Sequence, residues 1–392
     1  MGKVEHYIYY PLTQYHVILS LIIRDRKKTH RHSIILDEEI FSDIFINKVI
    51  NKSNWSHVYV IKRYSKSLNY CYRYIYYKFK YYDIFNIRNA NIVIFTFSNN
   101  FANLVVNSLC NSNNVLMGED GIFPYYDMDI AREYYLMLVD EPSVNKIKRL
   151  IMYKFNTKTI FNENNIKYFL LFNPEWLPVD LVERHKIEHV KIDHNAIRDV
   201  FEELNILYDY KSKMIFGNID IVFFDSDHCL IGATTEHKEY DLLCNIFMQL
   251  RGMKIYIKLK PYKNDNINAK RVAFFEKIQK KTLCDFVVEK PESIYPWELV
   301  YYNNSNDLKN VIFMGLSFST AFITTKKFHG LENNIICLKN MFLNEIIELK
   351  SNKAIDDLIG RINNTYQYGN IYTPVAYGDI KDIVKSIGKK VT

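Results

Sequence analysis

The sequence predicts an α/β protein made of two domains of similar size, each a parallel sheet covered by helices. Three observations lead to this fold class. Strand-like and helix-like segments alternate through both halves of the chain, which is typical of parallel sheets with helical crossovers. The run Asn91–Phe97 is almost continuously apolar, as in a strand buried on both faces. The length of 392 residues suits two domains at about 100–200 residues each.

The first half begins with the short β-prone run Tyr7–Tyr10, which Pro11 ends. From Leu12 to Arg26 apolar residues recur at helical spacing, which predicts a helix. The further strands predicted in this half are Ser33–Leu36, Val58–Ile61, Asn91–Phe97 and Val115–Met117, and the further helices are a Tyr- and Lys-rich stretch after Ile61 and Asn103–Cys110.

The second half restarts the alternation after a weaker, Asn-rich stretch. We therefore place the connection between the domains near residues 175–215 and expect domains 1–200 and 201–392, both Rossmann-like and facing each other across a cleft. The strands predicted here are Ile219–Phe224, Lys254–Leu259, Phe286–Val288 and Val311–Met314, and the helices are Tyr240–Leu250, Ala269–Lys281 and Trp297–Asn303.

Composition limits the class of protein. A net charge of +7 favours an anionic ligand but is too small to argue for bulk nucleic-acid binding. The six cysteines include no CxxC pair, which speaks against a disulfide framework or structural zinc. The start of the chain has no signal-peptide layout, and the early apolar run Val17–Ile23 is too short to span a bilayer. We expect a cytoplasmic protein.

The acidic turn Gly118-Glu119-Asp120-Gly121 follows a predicted buried strand. Ligands of open α/β sheets gather at the carboxyl ends of strands, so Glu119 or Asp120 could serve there as a general base. The same residues are also common in an ordinary β-turn.

Two further motifs also follow predicted strands. Lys258 and Lys260, in Lys258-Leu259-Lys260-Pro261, lie on one strand face, where two ammonium groups could hold a phosphate. Gly315-Leu316-Ser317-Phe318-Ser319-Thr320 leads into a helix, and hydroxyls with helix N–H groups suit the same anion. A solvated strand end and an N-cap are the plain alternatives.

Glu298 follows Pro296-Trp297 at a predicted helix start. Its carboxylate could accept both hydroxyls of a ribose, although a first-turn Glu also complements the helix dipole. A base in the first half and phosphate-binding groups in the second are typical of a nucleotide-sugar transferase with two Rossmann-like domains.

The order of these motifs resembles that of bacterial sialyltransferases of glycosyltransferase family 52 and the related polysialyltransferases. Thr13-Gln14-Tyr15-His16-Val17-Ile18-Leu19 is similar to the family's Thr-Pro-Tyr-His-Leu-Leu segment. Glu119-Asp120-Gly121 is similar to its acidic-acidic-Gly motif, Lys258–Pro261 to Lys-x-His-Pro, Pro296-Trp297-Glu298 to Pro-x-Glu, and Ser317–Thr320 to its Ser/Thr motif.

The resemblance implies a GT-B fold and an inverting, metal-independent transfer of sialic acid from CMP-sialic acid, with no cofactor, to a terminal sugar of a lipooligosaccharide or capsule. It implies Glu119 or Asp120 as the base and Glu298 at the ribose. The residues that it places at the donor are Lys258, Lys260, Pro261, Gly315, Ser317, Ser319 and Thr320.

One departure from the family concerns the leaving group, because Lys260 stands where the family has a histidine. A lysine can neutralise the phosphate, but it is a poor acid unless burial or a nearby cation lowers its pKa. A different donor such as CMP-Kdo is therefore the alternative. Reserve candidates for the base are Asp225, Asp227 and Glu236, and His228 or His237 could supply an imidazole.

Two basic stretches leave a different class of function open. Arg24–His32 is strongly basic, and Lys62–Lys80 alternates cations with tyrosines. Such a helix can lie on an anionic membrane surface, which would make an enzyme peripheral on the inner membrane. A non-catalytic basic protein that binds RNA or membrane is the alternative, although we favour no nucleic-acid partner. A homodimer is compatible with the sequence.

Overall fold

The fold is described from a computed structural model. It covers residues 4–62, 79–95, 109, 112–121, 125, 166–178, 182–183, 186–211, 216–226, 228–229, 234–260, 265–290, 295–329, 333–345, 352–365 and 370–389. The chain divides into two compact units, a first unit Met1–Tyr210 and a second unit Lys211–Thr392.

The first unit contains a seven-stranded parallel sheet in the order β3-β2-β1-β4-β5-β6-β7. Its first six positions follow the doubly wound order 3-2-1-4-5-6. The strands are β1 (His6–Tyr10), β2 (Arg31–Asp37), β3 (His57–Ile61), β4 (Asn91–Ile94), β5 (Asn114–Gly118), β6 (Ile166–Leu171) and β7 (Ile187–His189). The helices described in this unit are α1 (Gln14–Arg26), α2 (Asp43–Lys52), α3 (Tyr82–Phe85) and α4 (His194–Tyr208), with a 3₁₀ turn at Pro174–Trp176.

The second unit contains a six-stranded parallel sheet in the order β10-β9-β8-β11-β12-β13, which repeats the doubly wound order. The strands are β8 (Ile221–Phe224), β9 (Lys254–Lys258), β10 (Asp285–Val288), β11 (Ile312–Gly315), β12 (Ile335–Cys337) and β13 (Ile371–Tyr372). The helices described here are α5 (Glu236–Met248), α6 (Asp265–Thr282), α7 (Trp297–Asn303), α8 (Ser305–Leu308), α9 (Thr320–His329), α10 (Lys339–Glu345), α11 (Asn352–Thr365) and α12 (Tyr377–Ser386).

The central strands of both sheets are almost entirely buried. In β4 and β8 every residue is buried, and in β1 every residue after His6 is buried. This burial explains why apolar and polar residues hardly alternate in those segments, because helices cover both faces of such a sheet. The predicted α/β class with two Rossmann-like halves, the arrangement that a GT-B protein needs, is therefore confirmed.

The boundary between the units lies after α4. The sequence-based boundary at residue 200 falls inside this helix, which packs against α1 and α2 of the first unit. The Tyr208 ring contacts that of Phe45, with centroids 4.9 Å apart, and Arg24 pairs with Glu203. These contacts keep the whole helix with the first unit, which extends to Tyr210.

Each of the nine predicted strands has a counterpart in the structure, and four more of the described strands lay outside the prediction. These are β6, β7, β12 and β13, of which β7 and β12 have three residues and β13 two. Most of the predicted helix Asn103–Cys110 and of the stretch 62–80 lies outside the described residues. Among the helices that are described, none combines the length and apolarity needed to cross a bilayer.

Candidate active site

The acidic turn lies at the carboxyl end of the first sheet, next to the point where the strand order reverses. This point is the gap between β1 and β4, which are neighbours although they are not consecutive in the chain. Ligands of doubly wound sheets bind at such a position. Chain segments following β1, β4 and β5 all reach it, and they carry His16, Phe95 and Asp120.

His16 joins the start of α1 to the acidic turn. Thr13 caps α1, since its side chain accepts a hydrogen bond from the His16 backbone N–H at 3.1 Å. The His16 Nε2 atom lies 2.9 Å from Asp120 Oδ1, and the Leu12 backbone N–H donates to His16 Nδ1 at 3.2 Å. Both ring nitrogens are therefore engaged, and the residue is 1% exposed.

A glycine before the acidic pair makes room for the aromatic ring that stacks on the imidazole. The Phe95 ring stacks on His16 with centroids 4.9 Å apart and an interplanar angle of 13°. A Cβ atom at position 118 would lie 2.5 Å from the same Phe95 ring. Gly118 is thus required by the close approach of Phe95, which in turn holds His16 in place.

Glu119 is completely buried and occupied by hydrogen-bond donors. The Tyr15 hydroxyl donates to its Oε1 atom at 3.1 Å. The Tyr125 hydroxyl and the Phe172 backbone N–H both donate to its Oε2 atom, the latter at 3.2 Å. Three donors satisfy a buried carboxylate, so Glu119 ties the turn to α1 and to the end of β6.

Asp120 has a different environment from its neighbour. Its side chain is 24% exposed, so a solute can reach it while His16 holds one of its oxygens. The structure therefore separates the two carboxylates that the sequence left as alternatives. Asp120 is suited to take a proton from a bound molecule, and Glu119 is suited to anchor the turn. His16, to which the sequence analysis assigns no role of its own, completes the arrangement.

The second sheet reverses its strand order between β8 and β11, and a pair of hydroxyls lies there. Ser226, two residues beyond β8, and Ser317, two residues beyond β11, have their Oγ atoms 3.1 Å apart. Ser317 was predicted for this site, whereas Ser226 was missed. Its only sequence signal is its position just after the strand Ile221–Phe224.

The remaining residues of the Ser/Thr motif shape the start of α9. The Ala321 backbone N–H donates to Ser319 Oγ at 3.3 Å, so Ser319 has the role of an N-cap. Ser319 and Thr320 are both partly exposed. A Cβ atom on Gly315 would lie 2.8 Å from the Phe322 ring, so packing of α9 on the sheet by itself explains this glycine.

The two lysines after β9 have different environments. Lys258 is buried, and its Nζ atom donates to both carboxylate oxygens of Glu289 at 2.9 Å. This ion pair accounts for Lys258 without a phosphate. Lys260 is exposed and follows Lys258 at the carboxyl end of the strand. Pro261 lies outside the described residues.

Glu298 lies in the first turn of α7 and is buried. Burial raises the pKa of its carboxyl, and hydrogen bonds from its own backbone N–H and from the Thr324 hydroxyl oppose that rise. The Lys258 ammonium also opposes it. Glu298 is thus linked to α9 through Thr324, close enough to Lys258 to feel its charge.

The reserve candidates are in surroundings that favour other roles. Asp225 is buried and accepts from Arg271 Nε at 2.8 Å and from Nη2 at 2.6 Å, and the same Nη2 donates to Glu239 at 2.5 Å. This network fixes the segment after β8 and leaves Asp225 poorly placed to act as a base. Asp227 lies outside the described residues.

Three other reserve residues lie in and before α5. Glu236 is exposed. The His237 side chain is 84% exposed and lies 3.4 Å from Asp241, as expected of a solvated helix surface. His228 is buried, and its ring lies 4.1 Å from that of Phe342. Within the described residues, no group of three or more His, Cys, Asp or Glu side chains could hold a metal ion.

The basic segment Arg24–His32 is largely paired with acidic groups of its own unit. Arg24 pairs with Glu203, and Lys27 lies 2.7 Å from Glu188. This pairing reduces the charge that the segment could offer to a polyanion. Of the second basic stretch, residues 63–78 lie outside the described part of the chain.

Comparison with known proteins finds similarity at the level of structure. No protein-family model matches the chain, and no curated protein matches it. A glycosyltransferase from Rickettsia africae is similar in structure, with 10% identity, a TM-score of 0.48, and coverage of 99% of this chain and 89% of that one.

Two further solved structures are similar to the same degree. Arabidopsis thaliana UGT89C1 complexed with UDP has 9% identity and a TM-score of 0.48, over 98% of this chain and 91% of that one. UDP-GlcNAc 2-epimerase from Methanocaldococcus jannaschii has 14% identity and a TM-score of 0.45, over 98% of this chain and 99% of that one. These are likenesses of fold alone.

Proposed function

We propose that the chain is an inverting, metal-independent glycosyltransferase that moves sialic acid from CMP-sialic acid to a terminal sugar of a bacterial surface glycan, lipooligosaccharide or capsule. The observation that carries the proposal is Asp120, a partly exposed carboxylate at the strand-order reversal of the first sheet, held by a buried histidine. The choice of donor is supported by the order of four motifs that resemble those of the sialyltransferases: Glu119–Gly121, Lys258–Pro261, Pro296–Glu298 and Ser317–Thr320.

In the proposed reaction Asp120 is the general base. The oxygen of the acceptor hydroxyl attacks the anomeric carbon of the donor, and its proton passes to Asp120. The bond from the anomeric carbon to the phosphate oxygen breaks, and its electron pair leaves with CMP. Attack on the face opposite the leaving group inverts the configuration, and no metal is needed in this scheme.

The second unit would bind CMP. Ser317 and Ser226 would donate hydroxyl hydrogens to the phosphate, with the N-terminus of α9 and the Lys260 ammonium adding positive charge. Lys258 would not contact the phosphate directly, since its ammonium group is paired with Glu289. It would help to fix the end of β9 that carries Lys260. Glu298 would accept the ribose hydroxyls. We propose that the enzyme is cytoplasmic and peripheral on the inner membrane, where it would meet its acceptor. It would act as a monomer or a homodimer.

A second donor follows from one observation. Lys260 stands where the resembling family has a histidine, and a lysine supplies charge rather than an acidic proton at neutral pH. A donor such as CMP-Kdo, which carries the same nucleotide, would keep the rest of the proposal. Thermal-shift measurements with CMP, CMP-sialic acid, CMP-Kdo, UMP and UDP separate these donors, because a ligand at 100 times its Kd adds about 2.7 kcal/mol.

The direct test is transfer from CMP-sialic acid to an oligosaccharide panel, in EDTA, with wild type and Asp120→Asn. We expect Asp120→Asn to lower kcat by at least about 100-fold, since a general base contributes about that much or more, with an unchanged melting temperature. Asp199→Asn, a 66% exposed carboxylate on α4, is the matched control and should behave as wild type.

Two outcomes would overturn the proposal. Wild-type turnover by Asp120→Asn would remove the proposed base. No binding of any CMP-linked nucleotide, together with steeply salt-dependent binding of RNA or anionic vesicles, would instead favour the non-catalytic basic protein.

A further inference from the structure

His16 is the residue through which the first helix acts on the acidic turn, and its hydrogen bonds fix where its proton lies. The Leu12 backbone N–H donates to Nδ1, so this nitrogen must carry a lone pair. The proton of the neutral ring is therefore on Nε2, which faces Asp120 Oδ1 at 2.9 Å. In this arrangement His16 is the donor and Asp120 is the acceptor.

Burial decides which member of the pair can touch a substrate. The His16 residue is 1% exposed, whereas the Asp120 side chain is 24% exposed. The face of the imidazole is covered by the stacked Phe95 ring. A sugar hydroxyl can reach the carboxylate, and it cannot reach either nitrogen of the ring.

We infer that His16 is a positioning residue: it donates its Nε2 hydrogen to Asp120 and so holds that carboxylate in the orientation that receives the acceptor proton, without being the base itself. The inference rests on the proposed function for its catalytic meaning. Its structural part, the direction of the hydrogen bond, stands independently of it.

The supporting contacts give the histidine little freedom. Phe95 covers the ring, and Gly118 leaves the space that Phe95 needs. Thr13 and Leu12 fix its backbone and Nδ1 from the start of α1. A donor locked in this way preorganises the carboxylate, and a displacement of about 1 Å at a reacting group costs roughly 100-fold in rate.

Two substitutions at position 16 separate hydrogen bonding from packing. His16→Phe keeps an aromatic ring against Phe95 and removes the donor, and we expect kcat to fall about 100-fold with unchanged KM for donor and acceptor. His16→Gln loses the ring stack but keeps an N–H group that can reach Asp120, and we expect it to recover part of kcat.

A double-mutant cycle and a matched control complete the kinetic test. If His16 acts only through Asp120, His16→Phe combined with Asp120→Asn is no slower than Asp120→Asn alone. His32→Phe removes another buried histidine of the first unit, which bonds to Tyr9 and to the Lys27 carbonyl. It should lower stability without lowering kcat.

Other patterns would overturn the inference. If His16 were the base, His16→Gln would be as inactive as His16→Phe, and Asp120→Asn would retain more activity than either. If its role were only structural, the loss of kcat would follow the loss of melting temperature and would add fully to that of Asp120→Asn.

The direction of the hydrogen bond is tested without any turnover. In the full-length protein with ¹⁵N-labelled histidine, long-range ¹H–¹⁵N spectra distinguish a protonated Nε2 from a protonated Nδ1, and the His16 signals are those missing from His16→Phe. We expect the Nε2–H form, and the Nδ1–H form would overturn the inference. If the chain transfers no sugar from any donor, the proposed function fails, while this spectrum still decides whether Nε2 carries the hydrogen that donation to Asp120 requires.

Discussion

Glu119 and Asp120 are adjacent carboxylates, and their neighbours decide which chemistry each can perform. A base must meet its substrate and must be able to accept a proton there. Glu119 is buried with Tyr15, Tyr125 and the Phe172 backbone N–H as donors to its two oxygens, so a proton on either oxygen would compete with a donor that is already bound there. Asp120 accepts from one imidazole and faces solvent. Of the two carboxylates, Asp120 is therefore the one that a bound molecule can reach.

Another histidine of the first unit makes stability depend on pH. His32 is buried, stacks on Tyr7 and bonds to Tyr9 and to the Lys27 carbonyl. Burial lowers the pKa of His32 from its ordinary value of 6.5 to about 4. Between these two values the unfolded chain binds a proton that the folded chain does not bind. The free energy of unfolding therefore falls as the pH drops from about 6.5 to about 4, by up to about 3 kcal/mol at 1.36 kcal/mol per pKa unit.

The measurement is urea unfolding of the full chain from pH 7.5 to 4.5, followed by tryptophan fluorescence. Two of the three tryptophans, Trp55 and Trp176, lie in the first unit, and the Trp55 ring contacts Tyr9. We expect His32→Gln to be less stable at pH 7.5 but to depend less on pH than wild type. His57→Gln, at the exposed start of β3, is the control and should keep the wild-type slope. Equal slopes for wild type and His32→Gln would show that His32 is not the group responsible.

At the scale of elements, the end of α6 carries a strained residue. Leu283 has a φ of 59° and is 77% exposed. Its N–H donates to the Gln279 carbonyl and closes the last turn, a position that glycine usually occupies. The left-handed conformation costs a leucine about 1–2 kcal/mol. Glycine avoids this cost, but its greater conformational entropy in the unfolded chain cancels about 0.5–1 kcal/mol of the gain.

We therefore expect Leu283→Gly to raise the stability of the second unit by about 0.5–1 kcal/mol, as the difference between those two costs. Thermal unfolding of the full-length protein measures it. Leu283→Ala keeps the Cβ atom and removes the exposed side chain, so it should give no such gain. A loss of stability in the glycine variant would mean that the leucine side chain makes a contact that outweighs the strain.

The elements also show which parts of the fold are visible in a sequence. Buried central strands such as Ile221–Phe224 were predicted because both their faces need apolar residues. The peripheral strands β7, β12 and β13 have two or three residues each, too few for a periodic pattern to form. The sequence also shows where such strands end. It does not show that Ser226 and Ser317 are in contact, because that contact arises from the side-by-side pairing of two strands that are 91 residues apart in the chain.

At the scale of the whole molecule, both units repeat one doubly wound strand order. The acidic turn of the first unit and the Ser226–Ser317 pair of the second each lie where that order reverses. Strand and helix alternation was enough to predict this architecture. The contacts that define chemistry were not predictable in the same way. His16 and Asp120 are 104 residues apart, and the Arg271 network joins β8, α5 and α6. Such pairings depend on tertiary packing, so motif order could suggest a site without assigning a role to each residue.

The division of labour between the units can be tested by hydrogen exchange on the full chain with and without CMP. Binding at 100 times the Kd stabilises the binding unit by about 2.7 kcal/mol. We expect protection after the strands of the second unit, at Ser226, Lys260 and Ser317–Thr320, since amides near a bound phosphate lose access to solvent. Ser317→Ala should weaken this protection, and Ser386→Ala, a serine at the end of α12, should not. Protection confined to the first unit would reverse the proposed roles, and protection in neither unit at saturating CMP would remove the nucleotide site.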